Sequence, residues 1–308
     1  MAESARRRTR RLWALWLAGL LSAPSLQANV PAPAHDFGTC DAGRLKGIPA
    51  RSADAPSGSE FARRVQALSG ESRDARIRSE LMAGNLPNFL RQLVPVTLAA
   101  RDSAHRLTVC VLPDYLAVGT DRDFVFVPMG LDAALTVAAR FGFELPTPKI
   151  VDAIYDESVV KLRPQSLPAG DQMRSTGYFV HHNLLIGEQR AALDAPLGEL
   201  TSGHKKDLVL TRRLWDVPGR VAIYGWHRNL NAPIQPLSTV HGARYADYSH
   251  GIRLVSDTVY VDGKARSIAD VLADPTLAPL LTRDGVLPHL TERLSLLRAR
   301  LEQPLAGR

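Results

Sequence analysis

Apolar and polar residues recur along the chain in two periods, and the switch between them predicts the order of its elements. Ser57-Gly-Ser-Glu60 forms a capping box ahead of 61–68, which reads as a helix. Residues 74–82 read as a second helix, and Pro87 can start a third that runs to 93. The period then shortens. Runs at 94–98, 107–112, 116–119 and 124–127 are β-branched or aromatic and bounded by Pro, Asp or Gly, the mark of strands. Helical spacing returns at 131–141, where Leu131, Leu135, Val137 and Ala138 make one apolar stripe. Pro148 suits the first turn of the next helix, over 149–155, where a missing N–H costs nothing.

Residues 163–176 keep neither period and read as a loop. Beyond them short strands are predicted at 178–180, 208–210, 221–224, 252–255 and 259–261, with helices at 267–272 and 290–301. His181-His182-Asn183 could reach the pocket of 202–207, and an exposed polar loop explains it as well. Segregated helices and antiparallel-looking strands imply an α+β fold, with antiparallel or mixed sheets flanked by helices, rather than an alternating βαβ unit. No strand–Gly-loop–helix unit for a nucleotide is present. The expected organisation is an extended arm over 29–58, rich in Pro, Ala, Gly and Ser, and a single α+β domain over 59–308 whose one natural division is near 163–176.

The first 28 residues stand apart. Arg6, Arg7, Arg8, Arg10 and Arg11 precede an apolar run over 12–21 and a small-residue exit at Ala28, the pattern of a secretory signal peptide. The run is about half of the roughly 20 residues that a membrane-spanning helix needs. Removing the leader leaves no transmembrane anchor and places the mature chain in the periplasm or outside the cell. It also removes most of the formal net charge of +7. The balanced remainder carries no basic stripe, which argues against nucleic acid as a partner. Cys40 and Cys110, the only cysteines, would both enter an oxidising compartment, and a structural disulfide or two buried thiols is favoured over catalysis.

Candidate chemistry concentrates late in the chain. His181, His182, His204, His227, His241 and His250 are six of the nine histidines. Tyr224-Gly-Trp-His227-Arg228 and the run from His241 to Arg253 hold three of them with Asp247, Ser249, Tyr245, Tyr248 and Trp226. Three readings stay open. His227, His241 and His250 with Asp247 would supply the ligands of a divalent metal such as zinc, although their spacing matches no zinc signature. Ser249 could serve as a nucleophile with a base from His227 or His241, because a strand over 245–250 would put Tyr245, Asp247 and Ser249 on one face and His250 on the other. Ser202-Gly-His204-Lys205-Lys206-Asp207 offers a second wall, with Lys205 and Asp207 on one face and His204 and Lys206 on the other, fit to hold an anionic group.

Ser249-His250-Gly251-Ile252-Arg253 resembles the Ser-His-Gly-Cys-Ile-Arg signature of the L,D-transpeptidases, secreted enzymes that cross-link peptidoglycan through a cysteine thioester. Ile252 stands where that cysteine belongs, so the resemblance implies a shared local geometry without the thiol. The expected function is a secreted or periplasmic hydrolase or transferase acting on a cell-envelope or extracellular polymer. In that reading His227, His241 and His250 transfer protons, Asp247 orients one of them and Ser249 is a conditional nucleophile. Lys205, Arg253, His204, Asp207, Trp226 and Tyr245 bind substrate. The alternative is a non-catalytic extracytoplasmic carbohydrate- or envelope-binding protein whose aromatic residues form a stacking platform.

Overall fold

The structure, a computed structural model, describes residues 40, 47–99, 103–230 and 232–302. The described residues all belong to one compact unit. The expected leader and part of the arm lie outside the described residues.

The helices near the start follow from their caps. Helix α1 (Gly58–Arg64) begins where the Ser57 hydroxyl accepts from Glu60 N, and α2 (Gly70–Met82) buries Ile77 and Leu81, spaced by four. The expected third helix is only a 3-10 turn at Asn88–Arg91. Strands β1 (Val94–Ala99), β2 (Arg106–Val111), β3 (Ala117–Gly119) and β4 (Phe124–Phe126) follow. Next come α3 (Leu131–Phe141), β5 (Phe143–Glu144), α4 (Pro148–Glu157) and β6 (Val160–Lys161), with Pro148 at the α4 N-terminus as expected. The second half holds α5 (Thr176–Ala192), β7 (Thr201–Ser202), β8 (Lys206–Leu208), α6 (Arg213–Asp216), β9 (Ile223–His227) and β10 (Pro233–Ser238). It ends with β11 (His250–Gly251), β12 (Val255–Val261), β13 (Lys264–Ser267), α7 (Ile268–Ala273), α8 (Ala278–Leu281) and α9 (Leu290–Glu302).

Two sheets organise these elements into an α+β fold. One runs β1-β2-β12-β13, with β5 also on β12, and is antiparallel throughout. The other runs β10-β9-β8-β11, antiparallel except for the β8–β11 pair. Residues 112–116, the continuation of β2, lie along 252–254, with Leu112 N donating to Leu254 O and Leu116 N to Ile252 O. Val96, Val109, Val111, Leu131 and Val259 are among the fully buried side chains of the core. The Cys40–Cys110 disulfide ties the chain ahead of α1 to β2. Among the described residues no helix is long and apolar enough to cross a membrane.

Three sequence expectations are corrected. The strand at 178–180 and the polar loop at 181–183 are both part of α5, because Phe179, His182, Ile186 and Arg190 recur on one buried helical face and Ser175 caps the first turn. Of the predicted strands at 252–255 and 259–261, residues 252–254 form no strand, and Val255 and 259–261 belong to the single strand β12, whose irregular register on β2 between Val255 and Val259 interrupts the alternation. Residues 245–249 form no strand. Asp247 accepts from Ser249 N and its carbonyl from His250 N, so a turn replaces the extended backbone and only His250–Gly251 pairs.

Candidate functional site

Strand β8 sorts the polar residues of this region. Its register places Lys206 beside His250 of β11 and Gly225 of β9, and Asp207 beside Gly251 and Tyr224. Neighbours in register share a face, so Lys206 and His250 go together. Gly251 lies on the other side under the Tyr115 ring. A Cβ there would come within 2.5 Å of Tyr115 Cδ1 and 2.8 Å of Lys205 Cβ, so this closeness requires glycine.

The Lys206 side holds a compact group. His241 stacks on Tyr245 with ring centroids 4.0 Å apart and 7° between the planes, and His250 lies edge-on to the same tyrosine at 5.7 Å. The Tyr245 hydroxyl donates to Asp247 Oδ2 at 3.1 Å, and His250 Nε2 is 3.9 Å from that oxygen. The turn at 247–250 is what brings Asp247 and His250 together, where an extended strand would have parted them. Lys206 Nζ sits 4.8 Å from the centre of the Trp226 ring. Trp226 itself has φ +58°, rare for a bulky residue, and is held there by its backbone N–H to Lys205 O and its indole N–H to His204 O.

His250 is 0% exposed, and neither ring nitrogen has a hydrogen-bond partner. Burial pulls its pKa down to about 4, against the opposing pull of Asp247, so the ring is neutral at neutral pH. The same cause lowers His241 and Lys206 from their ordinary values. Burial and the Asp247 charge push Tyr245 up to about 12. For Asp247 burial acts upward, yet His250, the Ser249 hydroxyl and Lys206 hold the carboxyl below the usual range. His241, Tyr245 and Lys206 are half-buried and reach solvent; Asp247, Ser249 and His250 lie behind them.

Ser249 is also 0% exposed, and its hydroxyl donates to Asp247 Oδ1 at 2.6 Å rather than to a histidine. It therefore closes the turn. Ile252, in the place of the transpeptidase cysteine, is buried, and both cysteines of the chain are in the disulfide.

His227 belongs to a different group. Its Nε2 meets Asp152 Oδ1 at 3.0 Å and its ring stacks on Tyr155 at 4.7 Å, while Asp152 also accepts from Tyr224 OH and Arg283. The expected convergence of three histidines thus reduces to two. Among the described residues no three His, Cys, Asp or Glu side chains are grouped to hold a metal ion.

The residues expected to bind an anion are turned inward. His204, Lys205, Asp207 and Arg253 are all buried. Lys205 Nζ donates to Tyr248 O at 2.6 Å and lies 3.0 Å from His182 Nδ1; burial lowers it to about 7. Asp207 accepts from Tyr115 OH at 2.8 Å and is raised to about 6 by burial. Arg253 donates to Leu112 O and Thr201 O and covers the Tyr115 ring at 4.3 Å. His204 joins Lys205 and Asp207, contrary to the expected face, because the chain bends at 203–205, where Gly203 has φ +97°. Its Nε2 is 3.2 Å from Asp114 Oδ1, although not aligned as a hydrogen bond.

Sequence reasoning passed over Asp114 and Arg190, which pair at 2.7 Å at the centre of this interior cluster. Asp114 lies in a Pro-Asp turn that read as a strand boundary, and Arg190 lies on a helix whose start read as a strand. Also missed was a cavity of about 340 Å³ beside the site, lined by Tyr245, Arg244, Arg73, Arg174, Asp171 and Ser175. No family model matches the chain, and no curated protein or solved structure matches it.

Proposed function

We propose that the chain is an extracytoplasmic hydrolase that acts on a cell-envelope or extracellular polymer with water as the nucleophile. The observation that carries the reading is the layered group at 206 and 241–250. His241, Tyr245 and Lys206 face solvent over a buried Asp247–His250 pair, while the serine and cysteine candidates for a protein nucleophile are committed elsewhere. Its location is supported by the disulfide, at home in an oxidising compartment, and by the leader pattern at 1–28, read as a signal peptide that is removed.

His241, neutral at neutral pH, accepts a proton from the attacking water and returns it to the leaving group. Stacking on Tyr245 fixes the ring, and the Asp247 carboxylate stabilises the imidazolium that forms. The Lys206 ammonium offsets negative charge developing at the reacting centre. Hydrolysis is favoured over transfer through a serine or cysteine because Ser249 is buried on Asp247 and both cysteines are in the disulfide.

A second reading has its own support. A transpeptidase-like turn with Ile252 in the cysteine's place suits a protein that binds an envelope polymer without cleaving it. Purified peptidoglycan incubated with the wild type, His241→Ala and Asp247→Asn separates the two. The hydrolase reading expects soluble fragments from the wild type and a fall of about 10²–10⁴-fold in the variants, with normal melting curves. Equal turnover in all three proteins sinks it. Saturable binding with no fragments released would favour the binding protein.

A further inference from the structure

The cavity beside Tyr245 gathers positive charge from three sequence-distant segments. Arg73 comes from α2, Arg174 from the loop ahead of α5, and Arg244 from the loop that carries Tyr245. Ser69 and Gly70 also line it at the N-terminus of α2, where the Ser69 side chain makes no cap, and Ser175 lines it at the N-terminus of α5. Both helices are longer than three turns, so their first-turn N–H groups and dipoles favour an anion.

Arg73 is almost fully buried, and the charge it brings is answered chiefly by neutral acceptors. Its hydrogen bonds leave from Nη1, to Arg174 O at 2.7 Å and Thr176 Oγ1 at 3.3 Å, and its Nε has no partner. The neighbouring Asp74 adds an attractive charge but commits its Oδ2 to Gly130 N. Arg174 is half-exposed, with only the solvent-bathed Asp171 at 3.9 Å. Arg244 is held by Glu71 and Leu301 O. The Phe179 ring, 4.1 Å from the Arg73 guanidinium, offsets part of the burial, but an arginine buried this deeply with Nε unpaired remains costly.

We propose that this cavity is an anion subsite that takes a carboxylate or phosphate group, with Arg73 and Arg174 as its recognition residues. Arg174 is the exposed charge at the cavity mouth and Arg73 the buried charge that lines it. That the anion belongs to the polymer cleaved at His241 rests on the hydrolase reading; the binding of the anion does not. Tyr245 links the two, because it lines the cavity and carries the stacked His241.

Calorimetric titration of the full chain with inorganic phosphate, and with an acetylated dipeptide bearing a free or an amidated C-terminus, tests the subsite. Saturable binding of phosphate or of the free-acid peptide is expected, with the amidated peptide at least about tenfold weaker. Arg174→Gln, on an exposed side chain, should weaken the favoured probe by about tenfold or more, since charge-assisted bonds dominate such sites. Preference for phosphate marks a phosphate-bearing ligand, and preference for the free acid marks a peptide carboxylate. The proposal is overturned if neither probe saturates, or if Arg174→Gln and a folded Arg73→Met bind as tightly as the wild type. His241→Ala should bind the anion unchanged. Anion binding that depends on Arg174 without any polymer cleavage would keep the subsite and discard the hydrolase reading; cleavage without anion binding would do the reverse.

Discussion

On the inner side of β8, Lys205 and Asp207 meet Asp114, Tyr115, His204, Arg190 and Arg253; on the outer side, Lys206 and His250 meet His241, Tyr245 and Asp247. Both groups contain Lys, His, Tyr and Asp, and the inner one adds two arginines. They differ in access and in how their charges are answered. Inside, Arg190 pairs with Asp114 and Arg253 is bonded to two carbonyls, so the charges are buried and answered and the cluster joins α5, the 112–116 segment and the chain ahead of β12. Outside, the carboxylate is buried but three of its neighbours reach water, and the His250 ring is left with no hydrogen bond. Crowding of titratable groups alone does not single out the proposed reaction centre; the solvent-facing member is what distinguishes the outer group. The inner group should control stability with little bearing on activity, and the solvent-facing members of the outer group the reverse.

The most severe test of that division removes the inner carboxylate. Asp114→Asn leaves Arg190 and Arg253 without the charge that keeps them buried, and breaking a buried pair by removing one partner costs about 3–5 kcal/mol. Urea unfolding should show a large drop in midpoint. A loss below about 1 kcal/mol would place Asp114 with the weak surface pairs and erase the contrast. His241→Ala, by comparison, should leave the midpoint nearly unchanged while removing turnover.

Acid sharpens the contrast from the other direction. Burial moves His250 to about 4 when folded, against 6.5 when unfolded. Between those values the unfolded chain binds more protons, so the neutral His250 contributes its full share above pH 6.5 and stability falls as the pH drops toward 4. About 1.4 kcal/mol per pKa unit makes this loss on the order of 3 kcal/mol. Asp74 and Asp207, both raised to about 6, and Glu144, raised to about 7, act oppositely over the same range. The measurement is accordingly a difference: unfolding of the wild type and of His250→Gln at pH 7 and pH 4.5. The wild type should lose more stability than the variant, and equal losses would mean that His250 is hydrated or already partnered in solution.

A smaller effect is expected where the two groups touch. Gly251→Ala would press a methyl group into the Tyr115 ring and the Lys205 stem, and overpacking of this kind costs about 1–3 kcal/mol. Because Gly251 follows His250 directly, the same substitution should also lower turnover. Full activity with reduced stability would show that β11 positions nothing in the outer group.

Much of this was legible in the sequence wherever a local rule governed. Pro148 at the start of α4 and the apolar stripe of α3 matched the observed elements closely, and the Ser57 cap marked a helix start although α1 spans 58–64 rather than 61–68, because each is decided within one turn of chain. The site was legible as a neighbourhood but not as a geometry. His241, Tyr245, Asp247 and His250 do come together, through a turn whose Asp247 cap an alternation rule cannot anticipate. The assignment of Lys205, His204 and Arg253 to a substrate failed to foresee their burial, because the partners that bury them, Asp114, Tyr115 and Thr201, lie in other segments. Arg190 shows the same limit: its helix is recognisable only once the 3.6-residue period of Phe179, His182 and Ile186 is allowed to outweigh the β-prone triplet at 178–180.

The smallest effect concerns His227, which sequence proximity joined to the outer group and the structure joins to Asp152. Arg283 donates to that carboxylate at 2.7 Å from a largely exposed position, and Asp152 is held below the usual carboxylate range by its bonds from His227, Arg283 and Tyr224, against the upward push of burial. Exposed pairs are screened by solvent, so Arg283→Ala should cost no more than about 1 kcal/mol and leave turnover unchanged. If turnover falls with Arg283→Ala while the melting curve holds, His227 and Asp152 take part in the reaction after all. The division would then run not between the two faces of β8 but between everything that solvent reaches and everything it does not.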